Sequence, residues 1–169
     1  MSKARLRKEL QSFTQAQLIE VVLAAYDSSA KAKEYFEFFL NPDVDRLYEH
    51  HVDIIAKELS RTRWGRSKAR ISVIKASLRE FAAFGADVRQ QARLVYGAWR
   101  MILGAAARYD LSEPLRRAVP ALAAHYVALA SEGEFLEEAL EKVRRTSTEF
   151  ARPSVRKEIE LAIDQILKK

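Results

Sequence analysis

Eight basic residues fall between Lys57 and Arg79, namely Lys57, Arg61, Arg63, Arg66, Lys68, Arg70, Lys75 and Arg79, against a single acid, Glu58. That window carries +7, while the remaining 21 basic and 22 acidic residues sum to −1. Charge gathered so locally points to a patch and not to a uniformly basic surface, and the partner it attracts is an anion: a phosphate, a nucleic acid or an acidic stretch of protein. Trp64 stands within the arginine run, where its ring can stack on a base or on a guanidinium. Ser67 reads as the N-cap of a helix, which puts Lys68, Ser72, Lys75 and Arg79 in one charged stripe beside Ile71, Ile74 and Leu78. Lys68 and Arg70 then occupy a first turn, where each cation opposes the helix dipole by about 0.3–1 kcal/mol and a bound anion reverses the sign. The candidate anion- or nucleic-acid-binding residues are therefore Arg61, Arg63, Trp64, Arg66, Lys68, Arg70, Lys75 and Arg79. The competing expectation is that these cations pair with carboxylates from other helices or solvate a face.

Other chemistry is thinly represented. His50 and His51, with Asp45, Glu49 and Asp53 nearby, have the types that bind metal or act as general bases. Neighbouring helical residues point about a hundred degrees apart, so both rings cannot easily face one ion. His51 falls on an inward stripe, where a hydrogen-bonded core histidine is the ordinary expectation, and His125 stands alone beside Tyr126. The acids Glu132, Glu134, Glu137, Glu138 and Glu141 resemble a carboxylate cluster, but the four-residue steps from Glu138 to Lys142 and from Glu141 to Arg145 suit a solvated helix face. There is no cysteine, which removes disulfides, thiol nucleophiles and thiolate zinc sites. No cofactor or metal is expected, and an enzyme is the function class with least support.

The elements that must position these residues read as helices throughout. Thr14 and Gln17 have the spacing of a capping box, and the helix they open turns Leu18, Val22, Ala25 and Tyr26 inward. Tyr35, Phe36, Phe38 and Phe39 point around most of the next helix, which predicts burial on two sides. Asn41-Pro42 breaks it, with Pro42 in the first turn of a helix whose inner face is Val44, Leu47, Tyr48, His51, Ile55 and Leu59. Arg61 to Arg66 is a basic loop, and Gly85 stops the helix that follows. From Asp87 to Tyr109, Val88, Ala92, Val95, Trp99, Ile102 and Ala106 recur at steps of three and four with apolar flanks, so this is the central helix. Later helices place Leu115, Val119, Leu122, Tyr126 and Leu129 inward, then Leu136, Leu140, Val143 and Phe150, then Val155, Ile159, Ala162 and Ile166. Pro114 fits a first turn, Pro120 should kink an interior, and Pro153 marks a break.

The fold class is all-α, about eight or nine antiparallel helices, and 169 residues with 49% hydrophobic content suit one domain. Asp87-Val88-Arg89 with its following apolar face, and Ser154-Val155-Arg156 with its own, resemble the second helix of a HEAT repeat, so a HEAT-like superhelix stands beside a compact irregular bundle. The basic start of the chain lacks the apolar core of a secretory signal, and the run from Leu94 to Ala107 is interrupted by Arg100. The expectation is a cytoplasmic protein with no membrane role.

Ser2-Lys3 with Leu6 and Lys8, Gln17-Leu18-Ile19-Glu20, Tyr26-Asp27, Lys33-Glu34-Tyr35, Asn41-Pro42, and Arg66-Ser67-Lys68-Ala69-Arg70 with Ser72 and Lys75 together resemble domain-of-unknown-function family 6155. That resemblance implies an all-helical fold and supplies no catalytic residue. Two functions are expected in competition. One is a helical interaction module holding an anionic partner, nucleic acid among them, through residues 61–79; the other is a HEAT-like protein-binding scaffold with no nucleic-acid role.

Overall fold

The structure, a computed structural model, describes residues 2–168. Among them the all-α expectation holds, with helices joined by short turns and one very short hairpin. The helices group into two compact units, Met1–Asp43 and Val44–Lys169.

In the first unit, α1 (Lys3–Leu10) is capped by Ser2, whose Oγ accepts from the Arg5 amide at 3.3 Å. Helix α2 (Gln15–Ser28) opens on the expected reciprocal capping box: the Thr14 amide donates to Gln17 Oε1 at 2.8 Å and the Gln17 amide to Thr14 Oγ1 at 3.3 Å. Ser29 caps α3 (Ala30–Leu40). Tyr26 joins the two longer helices, its ring beside Phe36 and its hydroxyl donating to Glu37 at 3.2 Å. No described residue of this unit is buried. Val22, Tyr35 and Phe39, expected inside, are exposed. Three short helices cannot enclose a core, because so small a unit has too little interior for its surface.

The second unit holds every buried residue described. It comprises α4 (Val44–Leu59), β1 (Thr62–Arg63), β2 (Arg66–Ser67), α5 (Ile71–Ala83), α6 (Val88–Ala106), α7 (Glu113–Glu132), α8 (Leu136–Phe150) and α9 (Pro153–Leu167). Helix α6 begins at an Asp87–Gln90 capping box and buries Leu94, Ala98, Trp99 and Ile102 completely. It is the expected central helix, but α7 shares the role: α6 packs on α4, α5, α7 and α8, while α7 packs on α5, α6, α8 and α9. The principal packing thus joins elements adjacent or next-but-one in order. Pro114 sits in the first turn of α7, Pro120 within it, and Pro153 is the first residue of α9, so it opens that helix as well as breaking the chain before it. Pro42 lies ahead of α4, outside its first turn.

His51 is the core histidine its stripe predicts. Its Nδ1 lies 2.8 Å from Ser77 Oγ, linking α4 to α5, and its ring meets Phe81 edge-on. Burial, with His50 beside it, holds the His51 pKa below its ordinary value, so a neutral ring is the form that packs here. His50 is exposed. Among the described residues no group of three His, Cys, Asp or Glu is placed to hold a metal ion, and no helix is long and apolar enough to cross a membrane.

Candidate nucleic-acid interface

The basic window is built around its lone acid. Glu58 lies on the inward stripe of α4, one turn beyond Ile55, and only 6% of its surface is exposed. A carboxylate there must find donors, and the chain beyond α4 supplies them. Arg70 Nε donates to Glu58 Oε1 at 2.9 Å and Arg70 Nη2 to Oε2 at 3.1 Å, a two-pronged clasp. The Arg70 amide adds a bond to Oε1 at 2.8 Å, and Arg61 Nη1 another at 2.9 Å. Hydrogen bonding from Arg70, foremost, holds the Glu58 carboxyl at a pKa of about 2 against the opposing effect of burial. The same bond raises the Arg70 pKa. Glu58 thereby ties together the end of α4, the chain leaving it and the residue before α5.

Between these anchors the chain forms a short hairpin where a basic loop over Arg61 to Arg66 was expected. Thr62 faces Ser67 and Arg63 faces Arg66, joined by the two-residue turn Trp64-Gly65. Both turn residues have left-handed backbones, φ 55° at Trp64 and 71° at Gly65, the pattern of the tight turns whose twist matches a hairpin. The hairpin is fastened to the α6–α7 connection through Asp110: the Ser67 amide donates to the Asp110 carbonyl at 3.0 Å, and the Asp110 amide to the Gly65 carbonyl at 3.3 Å. The Lys68 amide closes the base by donating to the Arg61 carbonyl at 2.7 Å.

This corrects the start of the following helix. Ser67 does not cap it: Ser67 belongs to β2, is buried, and its Oγ accepts from the Ala69 amide at 3.2 Å. Helix α5 begins at Ile71 with Arg70 in the N-cap position and no side-chain cap. Lys68 and Arg70 therefore lie ahead of the helical first turn, though Arg70, at the N-cap, still stands at the positive end of the dipole beside the offsetting Glu58. The tertiary demand of Glu58 for a donor at Arg70 overrides the local preference of Ser67 for a helix start.

The eight candidate residues consequently separate into three groups. Arg61 and Arg70 share the single carboxylate of Glu58, which offsets one of their two charges. Arg63, Trp64, Arg66 and Lys68 are exposed on the hairpin and its base. Among the described residues no carboxylate lies within ion-pairing distance of Arg63, Arg66 or Lys68. Lys75 and Arg79 are exposed on α5 and line a separate cleft between α5, α6 and α7 to which the hairpin contributes nothing. Two participants escaped sequence reasoning. Glu58 had a readable signal, as the one carboxylate on the apolar stripe of α4. Asp110 acts through its backbone, which leaves no trace in residue type.

Arg63 and Arg66 are direct cross-strand partners. Such side chains start about 4.5–5.5 Å apart, and like charges so placed are destabilising. An anion between or beside them removes that repulsion. Trp64, 88% exposed, stands at the tip between them.

Neither a curated protein nor a solved structure matches the chain. A family model does match, over residues 1–97, a stretch that includes the whole hairpin and its Glu58 clasp. The chain belongs to that family, described as a family of unknown function, DUF6155.

Proposed function

We propose that this protein is a helical interaction module that binds single-stranded nucleic acid through its hairpin, with Arg63, Arg66 and Lys68 on phosphates and Trp64 stacked on a base. The observation that carries the reading is Trp64 itself. A bulky aromatic at φ 55° is uncommon and strained, since two-residue turns of this kind favour Asn or Gly. Placing at a strained position the most exposed large apolar side chain among the described residues is accounted for by a partner that uses the ring. A flat π-face flanked by two unpaired guanidiniums suits a base with its adjoining phosphates better than it suits an acidic peptide, which offers charge without a stacking surface.

The chain has two tryptophans, and Trp99 is fully buried. Intrinsic fluorescence therefore separates them: a stacked base quenches the exposed indole and leaves the buried one unchanged. Titration with a single-stranded oligonucleotide should quench the long-wavelength component. Trp64→Ala should weaken binding by about 1–3 kcal/mol, the usual worth of one stacked base. If quenching is absent and affinity is the same in Trp64→Ala, the reading is wrong.

A second reading keeps the molecule as a HEAT-like protein-binding scaffold. It is favoured by packing that joins helices adjacent or next-but-one in order, as in stacked helical pairs. Retention of a protein partner that is insensitive to salt and to Arg63→Gln with Arg66→Gln would select it.

A further inference from the structure

Lys75 and Arg79 are left over from the hairpin, and their surroundings are of another kind. They stand one turn apart on α5 at the edge of a cleft of about 610 Å³ enclosed by α5, α6 and α7. That volume falls within the range of roughly 300–1,000 Å³ over which small-molecule sites occur. Leu78, Val95, Leu122 and Leu129 make its floor, and all four are core residues. Gln91 on α6 and His125 on α7 add hydrogen-bonding groups to the opposite walls. Arg79 Nε donates to the Lys75 carbonyl at 3.3 Å, and among the described residues neither side chain has a carboxylate partner.

We infer that this cleft binds a small amphipathic anion, an apolar chain whose carboxylate or phosphate head is held by Lys75 and Arg79. The apolar floor draws the chain out of water in proportion to the area it covers. Charge sets the polarity of the occupant. Two cations on one edge, with long stems that lie along apolar surface while their heads stay wet, select an anionic head and disfavour a cationic one. A neutral amphiphile would gain the floor and lose the head contacts. Among the described residues no acid lines the cleft, and Glu132, which acts on His125, stands outside its lining. This site does not depend on the nucleic-acid reading, because no residue is common to the two.

Isothermal titration of the full chain with decanoate, decyl phosphate, decanol and decyltrimethylammonium tests the inference. At least one of the two anions should bind saturably and at least tenfold tighter than decanol, and the tighter of them fixes the head group; the ammonium should not bind. Lys75→Glu with Arg79→Glu should weaken the anion at least tenfold while leaving decanol unchanged. Ala121→Trp, at an exposed position on the cleft wall, should abolish both with the thermal transition unchanged, which excludes unfolding as the cause. Equal binding of all four amphiphiles, or anion binding indifferent to these variants, overturns the site. Arg63→Gln with Arg66→Gln should leave decanoate binding as it is, so failure here and failure of the hairpin reading are read separately.

Discussion

Glu58→Gln keeps an oxygen for Arg61 and the Arg70 amide but removes the negative charge and sets an NH2 donor against Arg70 Nη2. It should cost about 1–3 kcal/mol, as expected for a buried charged acceptor whose exposed guanidinium partners are partly rescued by water. The pH dependence has a fixed sign. The folded pKa of about 2 lies below the ordinary 4.5, so this contribution is present above about 4.5 and is lost as pH falls through about 2. Urea midpoints measured between those limits should fall with pH in the wild type and flatten in Glu58→Gln; parallel profiles would remove Glu58 from the account. Ser77→Ala should cost about 1–3 kcal/mol by denaturant unfolding, because His51 loses its Nδ1 partner while its Nε2 already has none in the core. Trp64→Gly relieves the strained turn, so it should keep or raise thermal stability while losing oligonucleotide binding. A variant that binds as well as wild type would show that the indole is ornamental.

Two hairpin strands of two residues each have no stability of their own, and the element persists because Glu58 holds its base and Asp110 its side. Gly65 marks where this geometry is least negotiable. A Cβ there meets open space, so Gly65→Ala costs only the left-handed backbone, about 1–2 kcal/mol, visible as a lowered thermal midpoint. Where an element is decided locally, the sequence disclosed it: Thr14 with Gln17 opens α2, and Gly85, with φ 88°, closes α5. Periodicity likewise disclosed the inner face of α7 and that of α6 except at Ala106, the last helical residue, which is exposed while its neighbour Ala105 is buried. The hairpin was hidden because Trp-Gly is not the usual Asn-Gly signal and four-residue ladders carry no alternation to read. The start of α5 was misplaced because Ser67 has the chemistry of a cap, whereas Glu58, distant in sequence, decides where the helix begins. The cleft was invisible for a related reason: its residues come from three helices, and only Lys75 and Arg79 looked unusual singly.

At the scale of the molecule, the second unit contains the whole described core and the first contains none of it, although the first exposes Leu6, Phe13, Ile19, Val21, Val22, Leu23 and Phe39. A chain beginning at residue 44 should therefore unfold cooperatively on its own, while residues 1–43 alone should show no cooperative transition by calorimetry. The family match crosses from the first unit into α6, so membership is carried by both units and the hairpin lies inside the shared stretch. Whether that hairpin meets a polyanion is decided most directly by how affinity for a single-stranded oligonucleotide varies with salt. Three phosphate contacts from Arg63, Arg66 and Lys68 predict a slope of log K against log salt of about −2, falling to about −0.7 in Arg63→Gln with Arg66→Gln. A slope near zero, or one the double substitution leaves unchanged, would contradict the assignment of the hairpin as the binding element.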